Sequence, residues 1–581
     1  MAPRLEDSEK RKPTVDGALA ILSVGSIAAA TLGVILWLGV PVLYMDEWTL
    51  IGFIEKVRAG TTHFQDFWIA YAEHRIFLPR LFFALVYRSG PLDPRPLMWS
   101  SWLVIGVVTC AASHRFFWRG DRVCSTFSKL AFTASFATMT FSLVQYENWL
   151  WGLQFDFFLT QAFVLAASVI LTADSLAFSL RLFLIAVCAA ASSCSSGQGV
   201  LLWISAAVGL LLLSNTFRTR VAVCVLLSGG LLFFVWQYKV DSLGQLNHAS
   251  EFGWVLKQPV DFCRGILALA GAPTCYWAGF EQISLAPIFG LILCCVFIVQ
   301  SVLICRSGRL RAAAPYFSLC IFGFLYCWLV TLGRATHGYN EWFVTSRYTT
   351  HALLIPIGML GLSWELYLAY PFRRAPLEIS SCCRVVPAVL AVLVVAGSWQ
   401  AVRWASQDSN GRRFAAHLIP VLDRVDSLVD GVSTGPFYPL CPVDNSPVIQ
   451  WGIRPAIAKG LVARQPVSYA SIQIQNLQLS YESKPKARKY LGHRIYAGLF
   501  SGTVIVSKSC HPDALLIGKN SDFSFAAPLR LMTHLGGDSD LYGWTTPISP
   551  SINSMEFQRA AIMLFGWEHG NVLWKTEAPP D

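Results

Sequence analysis

Long apolar runs separated by short polar loops dominate the first two-thirds of the chain. A helix needs about 20 apolar residues to cross a bilayer. Counted on that basis, the pattern predicts about eleven membrane-spanning helices. They lie near residues 17–40, 97–118, 129–145, 151–173, 180–195, 197–213, 218–238, 284–305, 313–333, 347–369 and 386–405.

Basic residues in the loops predict the orientation of these spans. Arginine and lysine accumulate in short cytoplasmic loops. Here they precede the first span and recur in alternate loops, so that they fall on one side if the tail 1–16 is cytoplasmic. The same parity places the first loop, 41–96, outside. Within that loop, His74 to Arg88 is amphipathic and is expected to form a helix at the membrane interface.

The remainder of the chain, 406–581, has a different pattern, in which short apolar runs alternate with polar residues. Val467 to Tyr481 and Gly502 to Ser507 alternate in this way, which is typical of half-buried strands. We predict a smaller extracytoplasmic C-terminal domain of mixed α/β or mainly β structure, after an all-α transmembrane domain over 17–405. An oxidising compartment would permit Cys441 and Cys510 to pair, although the sequence does not decide whether they do.

Composition supports a polytopic membrane protein and excludes several other classes. Of the 581 residues, 54% are hydrophobic and only 14% are charged, whereas a soluble protein carries about a quarter charged residues. The net charge of +10 is spread over many loops, so it indicates contact with membrane lipids rather than nucleic acid. Most of the 16 cysteines lie in apolar spans without zinc-ligand spacing.

An acidic pair, Asp46 and Glu47, directly follows the first span. One interpretation is ordinary solvation at the end of a span. The other is catalytic, because a shielded carboxylate can accept the proton of an attacking hydroxyl. These carboxylates could also bind a divalent cation. Together with His63 and His74 they have no diagnostic metal spacing, so no metal site is assigned.

The same loop continues with a second polar group, Glu73, His74, Arg75 and Arg80. Glu73 and His74 are candidates for substrate binding. Arg75 and Arg80 are candidates for a phosphate site, because a guanidinium binds phosphate with a fixed fork of donors. The alternative is that both arginines extend from an amphipathic helix to lipid headgroups.

A polar turn, Gln145 to Gln154, separates two apolar spans. Its candidate substrate-binding residues are Glu147, Asn148, Trp149, Trp151 and Gln154. Polar side chains at membrane depth are costly and usually have partners or line a cavity. The two tryptophans could offer a stacking face to a sugar, although tryptophans are also enriched at membrane interfaces in general.

A third group flanks a later external turn and consists of Arg334, Arg347 and Tyr348. Arg347 opens an apolar span, where an unpaired cation is costly. It therefore either pairs with an acid such as Glu341 or binds an anion, and Arg334 could converge with it on a lipid phosphate. No nucleotide-binding or hydrolase motif occurs, so a glycosyl donor used here is expected to be lipid-linked.

Taken together, these features resemble the GT-C glycosyltransferases, a superfamily that includes protein O-mannosyltransferases and aminoarabinose transferases. The resemblance covers residues 17 to about 405 and includes the acidic pair, Glu73-His74-Arg75, the turn 147–154 and the segment 333–348. It implies that Asp46 is the catalytic base with Glu47 as its neighbour, and that Arg347 meets the donor phosphate. The implied activity is inverting transfer of a sugar from a polyprenyl-phosphate donor, without a cofactor, to a glycan, lipid or protein acceptor.

Two other functions fit the same sequence. A transporter or flippase of a lipid-linked or anionic solute would share the spans and buried arginines, but would favour repeated halves and interrupted helices. A non-catalytic scaffold of an envelope-assembly complex is the third possibility. The enzyme hypothesis, placed in a bacterial inner membrane, requires that Asp46 and Arg347 serve one pocket at the outer membrane surface.

Overall fold

A computed structural model describes most of the chain. The residues described are 13–71, 75–118, 124–214, 216–239, 248–334, 341–370 and 377–418, followed by eight strands between residues 476 and 578.

Helices make up the described chain as far as residue 418. They are α1 (Pro13–Leu38), α2 (Ile51–Ala59), α3 (Phe64–Trp68), α4 (Phe77–Tyr87), α5 (Arg95–Ser113), α6 (Thr126–Thr140), α7 (Tyr146–Trp149), α8 (Phe155–Leu171), α9 (Phe178–Ser193), α10 (Leu201–Leu213), α11 (Phe217–Lys239), α12 (His248–Lys257), α13 (Pro259–Cys275), α14 (Gln282–Ser307), α15 (Leu310–Gly333), α16 (Thr349–Ala352), α17 (Leu354–Ala369) and α18 (Leu377–Leu418). Short 3-10 helices join several of them.

Nine helical segments of the described chain are long and apolar enough to cross a membrane. They are Gly17–Leu38, Arg95–Trp118, Thr126–Trp149, Gly152–Leu171, Phe217–Val235, Gln282–Ser307, Leu310–Gly333, Ser346–Ala369 and Val385–Asn410. The chain is therefore a polytopic helical membrane protein.

Two of the roughly eleven predicted spans correspond to helices that are shorter than the other nine. The runs predicted at 180–195 and 197–213 correspond to the shorter apolar helices Phe178–Ser193 and Gly197–Leu213. A helix of 16 residues rises only about 24 Å, which is less than the hydrocarbon thickness of about 30 Å. By length these two helices fall below a full crossing, although their composition is apolar.

The spans differ in how far their side chains are enclosed by protein. Over an apolar stretch of 18 residues in each span, buried residues make up 83% in Ser346–Ala369 and 78% in Gly152–Leu171, but only 22% in Gln282–Ser307. The first two are therefore central. On α18, the exposed residues Val385, Val389, Val392, Val395 and Trp399 follow helical spacing. Such an apolar stripe fits contact with lipid chains.

Small residues allow two helices to approach closely. A Cβ atom added to Gly271 in α13 would lie 2.0 Å from the carbonyl oxygen of Ala286 in α14. One added to Gly290 in α14 would lie 1.9 Å from the carbonyl oxygen of Leu267. Glycine is required at both positions because any side chain would separate the backbones.

The chain divides into two compact units. The first comprises Met1–Gly39, Thr62–Val86 and Arg95–Ala405, and the second Val40–Thr61, Tyr87–Pro94 and Ser406–Asp581. The first contains most of the helices. In the second, the 3-10 helix Met45–Leu50 continues into α2.

Two antiparallel four-stranded sheets complete the second unit. Their strand orders are β1-β2-β6-β5 and β4-β3-β7-β8. The strands are β1 (Asn476–Glu482), β2 (Gly498–Ser507), β3 (Leu515–Lys519), β4 (Ser524–Pro528), β5 (Arg530–His534), β6 (Ser539–Ile548), β7 (Ala561–Glu568) and β8 (Asn571–Ala578). β1 overlaps the first alternating segment of the sequence, and β2 contains the second.

Candidate functional site

Two of the polar groups found in the sequence meet in the first unit. The backbone amide of Arg347 donates to Oε2 of Glu147 at 2.8 Å. The backbone amide of Glu147 donates to Oγ of Ser346 at 3.1 Å, and that hydroxyl donates to the carbonyl oxygen of Val144 at 2.8 Å. The turn before α8 and the turn before α16 therefore form one hydrogen-bonded layer.

Asn148 adds two buried hydrogen bonds to the same layer. Its side chain is fully buried, and Nδ2 donates to the carbonyl oxygen of Arg347 at 2.8 Å and to Oγ1 of Thr350 at 2.6 Å. Regular α-helix is interrupted around this layer, where the 3-10 helices Leu143–Gln145, Gly152–Gln154 and Ser346–Tyr348 belong to three different spans. Irregular backbone at membrane depth requires partners within the protein, and these side chains provide them.

Arg334 and Arg347 converge on one aromatic ring, that of Tyr348. Their Cζ atoms lie 5.9 Å and 5.5 Å from its centroid, and Nε of Arg334 donates to the Tyr348 hydroxyl at 3.0 Å. Tyr348 is buried, whereas both arginines are partly exposed. Two guanidinium groups thus stand at one ring, close to the layer that holds the Glu147 carboxylate, and such groups can bind an anion.

Tyr276 adds a hydroxyl group to this layer. Burial raises the pKa of Tyr276 well above its usual value, and the Glu147 carboxylate raises it further, while hydrogen bonds with the side chains of Ser346 and Tyr146 oppose the shift. The hydroxyl therefore stays protonated at neutral pH and can donate a hydrogen bond. Tyr276 lies in a loop that carried no motif, so sequence reasoning missed it.

A polar group inside the spans extends from the arginine pair. Tyr326 is fully buried and lies near Tyr348, Arg334 and Asp156. Its ring centroid lies 4.8 Å from that of His351, which also stacks on Phe157 at 5.1 Å. Asp156 and His351 stand in apolar runs of the sequence, a signal that could have identified both.

Trp149 is packed inside the protein, and its role in stacking on a sugar stays a prediction. It is fully buried, its ring stacks on Phe158 with centroids 4.0 Å apart, and it lies parallel to Phe141 at 6.1 Å. Its Nε1 donates to the carbonyl oxygen of Ser142 at 3.1 Å. A sugar could stack there only by displacing this packing.

The other residues of the 147–154 turn are also enclosed. Trp151 is 3% exposed and Gln154 6% exposed. Within the described part of the chain, Oε1 of Gln154 and Oδ1 of Asn148 have no hydrogen-bond partner. Buried acceptors of this kind are costly unless something donates to them, so both remain candidates for contact with a substrate.

Arg75 and Arg80 hold the end of α3. Nη1 of Arg75 donates to the carbonyl oxygen of Trp68 at 2.6 Å, and Arg80 donates to those of Phe67 and Ile69. The two arginines are only 3% and 4% exposed. These carbonyls end a helix and carry partial negative charge, so both cations have partners inside the protein.

Burial also affects the ionisation of Arg80. Desolvation lowers its pKa to about 10, and the charge of Arg75 acts in the same direction, while Tyr71 and Asp66 act against it. Arg80 is nevertheless charged at neutral pH. A role for either arginine in binding phosphate stays a prediction.

The acidic pair in the second unit has two different environments. Glu47 is 2% exposed, and its Oε2 accepts the backbone amide of Tyr44 at 2.7 Å. Asp46 is exposed, and its carbonyl oxygen accepts the hydroxyl of Thr49 at 2.7 Å. Glu47 therefore caps the 3-10 helix, which leaves Asp46 as the stronger candidate for a base.

Tyr87 is a buried neighbour of Glu47. Burial raises the pKa of Tyr87 well above its usual value, and Glu47 and Asp93 raise it further. Asp46 belongs to the second unit and Arg347 to the first. Their predicted common pocket stays a prediction.

Several predicted residues lie outside the described part of the chain: Glu73, His74, Cys441 and Cys510. The side chain of Glu341 is likewise not described, so its pairing with Arg347 is untested. Among the described residues, no group of three or more His, Cys, Asp or Glu side chains could hold a metal ion. His63 instead begins α3, and its amide donates to Asp66 at 2.8 Å.

Comparison of the chain with protein-family models, curated proteins and solved structures finds no match. The chemistry of the site has to be argued from its residues alone.

Proposed function

We propose that the protein is an inverting glycosyltransferase that uses a polyprenyl-phosphate sugar. The observation that carries the proposal is the convergence of Arg334 and Arg347 on Tyr348, in a layer fixed by Glu147 and Asn148. A site with two cations at the ends of apolar spans suits an anionic headgroup whose lipid chain remains in the membrane.

The proposed reaction is a single displacement. The Asp46 carboxylate accepts the proton of the acceptor hydroxyl while that oxygen attacks the anomeric carbon of the sugar. The bond from this carbon to the phosphate oxygen breaks, and polyprenyl phosphate leaves with the bonding electrons. Arg347, assisted by Arg334, stabilises the charge that develops on the leaving phosphate.

Orientation and fold are part of the proposal. With the N-terminus in the cytoplasm of a bacterial cell, an odd number of spans places residues 406–581 outside. This orientation does not depend on whether the two shorter helices, Phe178–Ser193 and Gly197–Leu213, cross the membrane. Together they add two crossings or none, so the total stays odd. A GT-C-like helical domain with an extracytoplasmic β-rich domain then has its acidic loop and its acceptor on the same side.

The decisive experiment uses membranes containing the full chain and a labelled polyprenyl-phosphate sugar. Asp46→Asn is expected to lower transfer by about 100-fold to 10,000-fold, the usual contribution of a general base. Arg347→Gln is expected to lower it by about 100-fold or more. Asp174→Asn, which changes another exposed acid, serves as the control. Full transfer by Asp46→Asn would exclude the assigned base.

Transport of a lipid-linked or anionic solute is the second candidate. The interrupted helices around Glu147 and Ser346 favour it, since transporters bind substrates at broken helices. Release of free polyprenyl phosphate by the purified protein supports the enzyme. Movement of an intact lipid-linked solute across vesicles, without such release, supports the transporter.

A further inference from the structure

A buried ion pair occupies the last turns of α18 in the second unit. Asp408 and Arg412 stand one helical turn apart, their side chains are 4% and 2% exposed, and Nη2 of Arg412 contacts Oδ2 of Asp408. Removing two charges from water is costly, and the attraction between them often fails to compensate. The pair therefore contributes little to stability by itself, and its other contacts indicate its use.

The guanidinium of Arg412 lies against the ring of Tyr44. Its Cζ atom is 3.5 Å from the ring centroid, and Tyr44 is 1% exposed. A planar guanidinium at this distance makes a close cation–π contact. Tyr44 stands two residues before Asp46, so Arg412 of α18 contacts the chain just before the acidic pair.

The Tyr44–Glu47 turn is fixed at its other end as well. The carboxylate of Glu47 accepts a hydrogen bond from the backbone amide of Tyr44, which closes the turn. Met45 between them has a φ of +49°, a left-handed conformation that non-glycine residues rarely adopt. Such a conformation persists only where its surroundings enforce it. Asp46 is the exposed residue of this enforced turn.

We propose that Arg412, held in place by Asp408, is a positioning residue for the carboxylate of Asp46. This inference rests on the proposed function of Asp46 as a base. Without the guanidinium, the Tyr44 ring loses its cation–π contact. The backbone of Met45 can then relax from its positive φ to a negative one. The Asp46 carboxylate then moves, and a displacement of about 1 Å can reduce a reaction about 100-fold.

Transfer kinetics on the full chain provide the first test. Arg412→Gln is expected to lower kcat by about 10-fold to 100-fold with little change in KM, since the residue acts through the base. Arg412→Lys keeps the charge but not the planar contact. Its kcat should lie between those of the wild type and Arg412→Gln. The matched control is Arg403→Gln, which removes an exposed arginine of the same helix from the ring of Trp399.

A double variant separates positioning from general damage. If Arg412 acts only through Asp46, then Asp46→Asn combined with Arg412→Gln transfers sugar no more slowly than Asp46→Asn alone. A combined loss equal to the product of the two single losses would overturn the proposal.

Hydrogen exchange gives a readout that needs no activity. Exchange of the amides of residues 44–50 should increase at least about 10-fold in Arg412→Gln, and remain as in the wild type in Arg403→Gln and Asp46→Asn. Unchanged exchange in this segment refutes the inference. Where Arg412→Gln does not fold, Arg412→Lys and Asp408→Asn are measured instead, with the same expected direction. If the wild-type chain transfers no sugar, the proposed function fails, while exchange still decides whether Arg412 holds the turn.

Discussion

The backbone amide of Arg347 and the carboxylate of Glu147 are joined by a 2.8 Å hydrogen bond between residues 200 positions apart. The bond fixes the start of one central span to the turn before another. Glu147 is 5% exposed, so an unsatisfied amide in this place would be costly. The carboxylate therefore has a structural task that an amide could also perform.

Replacement of Glu147 should separate hydrogen bonding from charge. Glu147→Gln retains an oxygen that can accept the amide of Arg347, and should unfold within about 0.5 kcal/mol of the wild type. Glu147→Ala leaves that amide without its acceptor and should cost about 1–3 kcal/mol. Thermal unfolding in detergent measures both. Equal losses in the two variants would contradict the assigned bond, and loss of transfer in a stable Glu147→Gln protein would show that the charge itself matters.

Asn148 should tolerate even an isosteric acid poorly. Asn148→Asp places a carboxylate oxygen against the carbonyl oxygen of Arg347, so that hydrogen bond is lost in a buried place, while the hydroxyl of Thr350 can turn and donate to the carboxylate. We expect a cost of about 3 kcal/mol or more. Thr350→Val removes one acceptor alone and should cost about 1 kcal/mol. Chemical denaturation in detergent ranks the variants, and a larger loss for Thr350→Val would be inconsistent with this geometry.

The length of the apolar runs predicted nine of the spans. This is possible because a helix needs a minimum number of apolar residues to cross a bilayer, and they can be counted in the sequence. The same counting also found two shorter apolar runs, and their predicted lengths match the helices Phe178–Ser193 and Gly197–Leu213. The three polar groups were likewise visible in the sequence. The contact between Glu147 and Arg347 was not, because nothing local specifies which distant turn each residue meets.

The burial of two residues could not be predicted from the sequence. Trp149 stands in a turn between two spans, where tryptophans are common at the membrane interface, and its packing on Phe158 is visible only in the structure. Arg412 stands near the end of a helix of 42 residues, in a segment that resembles an ordinary solvated helix end. Its burial against Tyr44 depends on a turn more than 300 residues earlier in the sequence.

The contact of α13 with α14 should fail when its glycines gain side chains. Gly271→Ala would place a methyl group 2.0 Å from the carbonyl oxygen of Ala286, so the helices must separate, at a cost of about 1–3 kcal/mol. Gly25→Ala in α1 is the control, because its added Cβ has nothing within 4 Å. Thermal unfolding should distinguish the two. A harmless Gly271→Ala variant would mean that these helices do not approach so closely.

Because Met45 has a left-handed backbone conformation, glycine should be more stable than alanine at this position, the reverse of the usual order in a helix. Both substitutions remove the same buried contacts, apart from one methyl group. An L-residue at positive φ costs about 1–2 kcal/mol, which glycine avoids. Met45→Gly should therefore be more stable than Met45→Ala by about 1 kcal/mol, as measured by thermal unfolding in detergent.

Gly52 provides the opposite case within the same unit. It is exposed in α2, its φ is not positive, and an added Cβ would meet nothing within 4 Å. Gly52→Ala should therefore stabilise the protein by about 0.5–1 kcal/mol, the usual difference between these residues in a helix. If alanine is favoured at both positions, the backbone at Met45 is not held in the left-handed region, and the enforced turn that presents Asp46 loses its support.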